Sequence, residues 1–223
     1  MELKNRPVWL LPALSALVAA AIGAVIGAVV VGTQFSARNG DTQASAPTRV
    51  SGQAEIGGPF TLVNQDGETV TDADFRGKAM LIYFGFTYCP DFCPASLQIM
   101  DAALDRLPEA DRDRFQPILI SVDPERDTPA LLKQYVSADV FPEALVGLTG
   151  SPEQVRDAAR AYRVYYARVD DDGVSSDYTV DHSSLIYLMG PDGNFVDVFP
   201  HNTTPDQMAA RLQRFLQENP VQS

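Results

Sequence analysis

Gly85-Phe86-Thr87-Tyr88-Cys89-Pro90-Asp91-Phe92-Cys93-Pro94 holds both cysteines of the chain, with three residues between them. The run before it, Met80-Leu81-Ile82-Tyr83-Phe84, is apolar and rich in β-formers, which predicts a buried strand. After it, Leu97, Met100, Leu104 and Leu107 recur at helical spacing. The thiols are therefore expected where a strand ends and a helix begins. The first turn of a helix presents unpaired N–H groups and the positive end of the peptide dipoles, which favour thiolate over thiol. Pro94 suits the start of that helix, where no backbone donor is required. A thiolate pair so placed can exchange with disulfides or hold a soft metal ion, and the cysteines alone do not choose between them.

Working outward, Pro117-Ile118-Leu119-Ile120-Ser121-Val122 reads as a second buried strand, so strand, helix and strand make a parallel βαβ unit. Upstream, Phe60–Val63 and Glu68–Val70 flank Asn64-Gln65-Asp66-Gly67, the pattern of a hairpin with an Asp-Gly turn, and Phe75–Lys78 leads into the strand before the cysteines. Thr128-Pro129, Ser151-Pro152 and Thr204-Pro205 each supply a capping hydroxyl followed by proline at the first helical position. Ser151 with Gln154, and Thr204 with Gln207, fit the capping box. The last helix is expected to bury Met208, Leu212, Phe215 and Leu216. Val164–Val169 reads as a strand, and Ser184–Met189 with Asn194–Phe199 as an antiparallel hairpin around Pro191-Asp192-Gly193. The order is a hairpin, βαβα, an inserted helix and strand, then ββα. That is an α/β domain of thioredoxin-like arrangement, with the cysteines at its reactive corner.

The N-terminal quarter differs in kind. Residues 1–7 are polar, with Lys4 and Arg6, and Val8–Gly32 is almost wholly apolar. That length spans a hydrocarbon layer of about 30 Å as a helix, whereas a cleaved signal has an apolar core of only about 7–15 residues. The expectation is an uncleaved transmembrane anchor over 8–32, with Trp9 at the interface and basic residues 1–7 in the cytoplasm. Residues 33–57 read as a flexible linker, and 58–220 as the folded domain. No Arg-rich, Ser-rich transit peptide precedes the span, which points to a bacterial inner membrane with the domain in the periplasm. All but two of the 29 acidic side chains, but all except four of the 17 basic ones, lie beyond residue 50. So acidic a domain repels nucleic acid and has no basic, aromatic-interleaved patch to overcome that. The charge serves solubility, or steers a cationic partner or metal ion.

Only two histidines exist. His182 stands in Val180-Asp181-His182-Ser183-Ser184, just before the strand Leu185-Ile186-Tyr187-Leu188. In a thioredoxin-like fold the loop entering this strand faces the cysteine corner, so an imidazole would join two thiolates. Thiolates select copper(I), and imidazole lets the same site hold copper(II). A structural zinc would normally want a fourth ligand, and none is evident. A permanent Cys89–Cys93 disulfide would close too short a loop to restrain the unfolded chain much. Asp181 or a backbone carbonyl is expected to orient His182. Asp91 either tunes the site's charge or caps the helix. Asp123-Pro124 suits a type I turn and Asp127 precedes a helix start. His201 reads as an exposed loop residue, with transient ligation during transfer as its alternative role. Phe84, Phe86, Tyr88 and Phe92 either shield the site or build the core.

Three segments together, Thr87-Tyr88-Cys89-Pro90-Asp91-Phe92-Cys93-Pro94, Ser121-Val122-Asp123-Pro124-Glu125-Arg126-Asp127-Thr128 and Val180-Asp181-His182-Ser183, resemble the SCO/SenC copper-chaperone family. Tyr187-Leu188 and Pro191-Asp192-Gly193 are similar too, so the likeness covers most of 55–220. The resemblance implies one copper, Cu(I) or Cu(II), bound by Cys89, Cys93 and His182. It implies assistance to the CuA centre in subunit II of cytochrome c oxidase, with a copper donor chaperone and a thioredoxin-like reductant as further partners. It also implies a thiol–disulfide reductase role toward that subunit, in which Cys89 and Cys93 would be catalytic. The competing reading is a membrane-tethered thiol–disulfide oxidoreductase or peroxiredoxin-like enzyme. Such enzymes usually carry C-x-x-C or a single peroxidatic cysteine, so the three-residue spacing and His182 favour copper.

Overall fold

Two strands that are apolar at nearly every position form the centre of a mixed sheet. β3 (Ala79–Gly85) and β4 (Phe115–Ser121) run parallel, with Ala79 opposite Phe115 and Gly85 opposite Ser121. Every residue of β3 is buried, as is every residue of β4 except Gln116, the pattern of strands covered on both faces. The computed structural model describes residues 56–170 and 178–220. The anchor at 8–32, residues 1–7 and nearly all of the linker at 33–57 lie outside the described residues. Among those described, no helix is long and apolar enough to cross a membrane.

The predicted hairpin is β1 (Thr61–Asn64) and β2 (Thr69–Thr71), turning through Gly67 at φ +83°, a conformation that costs glycine nothing. A short 3₁₀ turn, Asp72–Phe75, follows it. α1 (Phe92–Leu104) buries Leu97, Met100 and Leu104, and Leu107 is buried just beyond its end. Each such side chain contributes about 1.5–3 kcal/mol on burial. The short α2 (Glu109–Arg112) precedes β4. α3 (Pro129–Val136), α4 (Pro152–Ala161) and α5 (Pro205–Glu218) begin at the three Thr/Ser-Pro signals. In each, the hydroxyl of Thr128, Ser151 or Thr204 accepts from the third helical N–H. Both expected capping boxes form, and α5 buries Met208, Leu212, Phe215 and Leu216 while packing against α1.

β8 (Leu185–Met189) lies antiparallel to β3 and to β9 (Phe195–Pro200), completing the order β2-β1-β5-β4-β3-β8-β9. This is the thioredoxin-like α/β arrangement, with two additions the sequence pattern did not announce. β5 (Val146–Thr149) inserts between β1 and β4. It is only four residues long and contains Gly147, which permits close approach of α3: a Cβ there would lie 2.9 Å from Val136 Cγ1. The other is β7 (Tyr178–His182), which pairs with β6 (Tyr166–Asp170) as a separate two-stranded ribbon. The expected strand at Val164–Val169 is thus shifted by one or two residues. The segment read as a loop around His182 is itself a strand up to that residue. Its alternation of buried Tyr178 and Val180 with Thr179 and Asp181 is the period-2 signal of such a strand.

Candidate metal centre

β3 delivers the chain to the site at Gly85, whose carbonyl accepts from Val122 N–H at 2.8 Å and so prolongs the parallel pairing. Glycine is required there by crowding. A Cβ on Gly85 would meet Tyr83 Cε1 at 2.7 Å and Cys93 Sγ at 3.0 Å. The loop then crosses Cys89 and enters α1 at Phe92, putting Cys93 in the first helical turn as expected. Cys93 is fully buried and Cys89 half-buried, and both are free thiols.

The two sulfurs are not equivalent. Cys93 N–H, one of the helix's unpaired donors, points at Cys89 Sγ from 3.3 Å. The hydrogen bond from the Cys93 side chain, together with the backbone N–H groups of Cys93 and Asp91, brings the Cys89 thiol down to about 4 against the cost of burial. Cys93 is pushed up, first by its bond to Cys89 and then by burial and the charge on Cys89. One proton is shared between two sulfurs and resides on the inner one. The helix start therefore yields a single thiolate, at Cys89, in the metal-free site.

His182, at the end of β7, returns to this pair from 89 residues further along. Its Nε2 lies 3.4 Å from Cys93 Sγ. Its Nδ1 is 3.3 Å from the Ser183 carbonyl oxygen, a partner that can only accept, so Nδ1 carries the proton and Nε2 offers its lone pair to the sulfurs. The carbonyl rather than Asp181 orients the ring, and Asp181 is exposed. Tyr83 and Phe86 meet the imidazole edge-on, with centroids 5.9 Å and 5.8 Å away. The Tyr83 ring is buried beside Cys93, and burial first, then Cys93, raises its pKa.

Sγ of Cys89, Sγ of Cys93 and a ring nitrogen of His182 lie within 4.8 Å of one another. A first-row metal binds thiolate at about 2.3 Å, so two sulfurs on one ion sit at most about 4.6 Å apart. With a third ligand on the ion the sulfurs must come closer than that linear limit, so modest side-chain movement is needed to close the set on one ion. Two sulfurs and one imidazole nitrogen, with no fourth His, Cys, Asp or Glu in the group among the described residues, form a soft, low-coordinate donor set that suits copper better than zinc.

The surrounding residues sort themselves differently from the sequence reading. Asp127 does more than precede a helix. Fully buried, its carboxylate accepts from Thr87 N–H at 3.1 Å, Thr87 hydroxyl at 2.6 Å and Ser121 hydroxyl at 2.6 Å, clamping the cysteine loop to the end of β4. Burial raises its pKa while the Ser121 and Thr87 bonds oppose the rise. Its placement before Thr128-Pro129 masked this role. Asp91 occupies the N-cap position of α1, but its side chain makes no capping bond. His201 is exposed, edge-on to Phe92 at 5.9 Å, and outside the sulfur–imidazole group. Phe84 and Phe86 are core, whereas Tyr88 and Phe92 remain 54% and 60% exposed beside Cys89 and Cys93.

The family model described as SCO1/SenC matches residues 48–217. The SCO1 homolog 1, mitochondrial, of Arabidopsis thaliana is 46% identical over 158 residues, covering 71% of this chain and 46% of that protein. The chain spans about half the length of the curated relatives it matches. The copper-bound crystal structure of Arabidopsis thaliana ScoI is similar with a TM-score of 0.67 and 44% identity, over 73% of this chain and 99% of that one. The copper-bound structure of Bradyrhizobium japonicum ScoI is similar with a TM-score of 0.64 and 47% identity, over 72% of this chain and 99% of that one.

Proposed function

Since the chain belongs to the SCO1/SenC family, we propose that it is a copper chaperone for cytochrome c oxidase assembly, holding one copper ion on Cys89, Cys93 and His182. The observation that carries this is the return of the His182 imidazole to 3.4 Å from Cys93 Sγ. A dithiol enzyme needs no such ring. Copper supplies a soft Lewis acid that thiolates bind strongly in either oxidation state. The protein's part is to present the ligands deprotonated. Cys89 is a thiolate beforehand, Cys93 releases its proton on binding, and His182 is held with Nε2 free. The half-buried Cys89 is the ligand a partner reaches first, and the exposed Tyr88 and Phe92 flank that approach.

In this reading the recipient is the CuA domain of oxidase subunit II. Residues 8–32 anchor the chain in a bacterial inner membrane, residues 33–57 tether the domain, and 58–220 act in the periplasm. A donor chaperone supplies copper. Because disulfides form readily outside the cytoplasm, a thioredoxin-like reductant keeps the sulfurs reduced. The anaerobic test mixes the copper-loaded chain with a metal-free, reduced CuA domain. Copper(I) should leave the chain for the acceptor, and the CuA absorption should appear when an added oxidant such as ferricyanide then removes one electron per pair of coppers. Retention of copper under a large excess of acceptor would contradict the delivery role.

One observation favours a second reading. An accessible low-pKa thiolate at Cys89 beside a buried, protonated Cys93 is also how a thiol–disulfide reductase is arranged. Turnover of an oxidised subunit II dithiol by the metal-free chain, unaffected by His182→Ala, would identify that role.

A further inference from the structure

His182 sits at the end of a ribbon that pairs with neither β3 nor β8, so no ladder of the main sheet fixes its height above the sulfurs. Arg126 supplies a connection. Its guanidinium carbon lies 3.7 Å from the centroid of the Tyr178 ring, 4.8 Å from that of Tyr88 and 5.9 Å from that of Phe86. Nη1 donates to the Tyr178 carbonyl at 2.9 Å, and Nε is paired with the buried Asp123 carboxylate. The Tyr178 hydroxyl closes the circuit by donating to the other Asp123 oxygen at 2.7 Å. Tyr178 is the first residue of β7 and His182 the last. Tyr88 directly precedes Cys89, and Phe86 stands edge-on against the His182 ring. One planar cation is thus bonded to the strand that carries the histidine and stacked on the loop that carries the first cysteine, while none of its recorded partners is one of the three ligands.

Resting on the copper reading above, we propose that Arg126 is a positioning residue for copper ligation. It pins β7 to the cysteine loop so that His182 Nε2 stays over the sulfurs, and its loss weakens copper binding through His182 rather than through the thiols. The planar fork is what does this, because a lysine keeps the charge beside Asp123 but cannot stack on three rings and bond in two directions at once. Supporting groups behind metal ligands typically change metal affinity by about 10–100-fold.

The experiment compares the full chain, Arg126→Lys, His182→Ala and the double variant by competition with a colorimetric copper(I) chelator. Two further readouts are the sulfur-to-copper(II) charge-transfer band and the midpoint potential of the Cys89–Cys93 disulfide. Arg126→Lys should bind copper about 10–100-fold more weakly, with its band moved toward that of His182→Ala. Its disulfide midpoint should be unchanged, and the double variant should bind no more weakly than His182→Ala alone. A wild-type affinity and band in Arg126→Lys, a penalty that adds in full to that of His182→Ala, or a shifted midpoint would overturn the inference while leaving the copper reading intact. If His182→Ala itself binds like the parent, the copper reading has failed. Should Arg126→Lys not fold, Asp123→Asn/Arg126→Gln removes both charges together, avoids an unpaired buried carboxylate and carries the same expectations.

Discussion

Gly85→Ala should damage the metal centre through a single methyl group. The new Cβ would lie 3.0 Å from Cys93 Sγ and 2.7 Å from Tyr83 Cε1, whereas relaxed contacts of this kind begin at about 3.5 Å. Tyr83 and Cys93 are both fully buried, so any adjustment by either is costly, and the smaller Cys93 sulfur is the one able to turn. Overpacking of this kind costs about 1–3 kcal/mol, which for a domain of this size lowers Tm by roughly 2–12 °C. The metal-free protein relieves part of the strain by turning the Cys93 sulfur aside, and copper binding must restore it. If the whole cost falls on binding, affinity drops about 5-fold to 150-fold. Gly147→Ala is the matched control. Its Cβ would crowd Val136 Cγ1 at 2.9 Å, in β5 against α3, with no sulfur among the atoms it meets. Thermal unfolding and chelator competition on both variants separate the effects. Both should lose stability, and only Gly85→Ala should lose copper. Parent-like copper affinity in a destabilised Gly85→Ala would refute the reasoning.

The Cys89 thiol, held near 4, remains ionised throughout the neutral range and takes up a proton only as pH falls through about 4. Iodoacetamide should therefore alkylate Cys89 at a plateau rate between pH 6 and 8; a rate that climbs toward an ordinary thiol midpoint of about 8.5 would contradict the assignment. Asp127→Asn replaces an acceptor of three hydrogen bonds by a group that can serve only some of them. Urea unfolding should register a loss of about 1.5–3 kcal/mol, and a change below about 0.5 kcal/mol would mean that the clamp on Thr87 is not formed. Thr204→Ala removes the hydroxyl that accepts from Gln207 N–H at the start of α5. It should cost about 1 kcal/mol without altering the copper spectrum; an unchanged Tm would count against the cap.

Much of the scaffold was legible because its signals are local. Buried parallel strands are written as continuous apolar runs, and a hydroxyl followed by proline marks a helix start by the hydrogen bond it makes. The Asp-Gly turn and the helical spacing of Leu97, Met100 and Leu104 are of the same kind. What escaped was non-local. Nothing in Val146-Gly147-Leu148-Thr149 distinguishes a short central strand from a connection until β1 and β4 flank it. β7 carries its alternation plainly, yet an acidic stretch before it and His182 within it made a loop the easier reading. At the site, the sulfur–imidazole triad follows from residue types combined with a fold. The inequality of the two thiols does not, because it depends on which sulfur faces the helix N–H and which faces the core. Asp127 and Arg126 were hidden for a similar reason. Their partners, Thr87 and Tyr178, lie 40 and 52 residues away.

The chain has only two histidines, so the identity of the nitrogen ligand is a binary question that copper X-ray absorption can answer. The purified chain loaded with one equivalent of copper should show two sulfurs and one imidazole nitrogen around the metal. His182→Ala should lose the imidazole scattering and His201→Ala should keep it. Imidazole scattering that survives in His182→Ala and vanishes in His201→Ala would contradict the site described above.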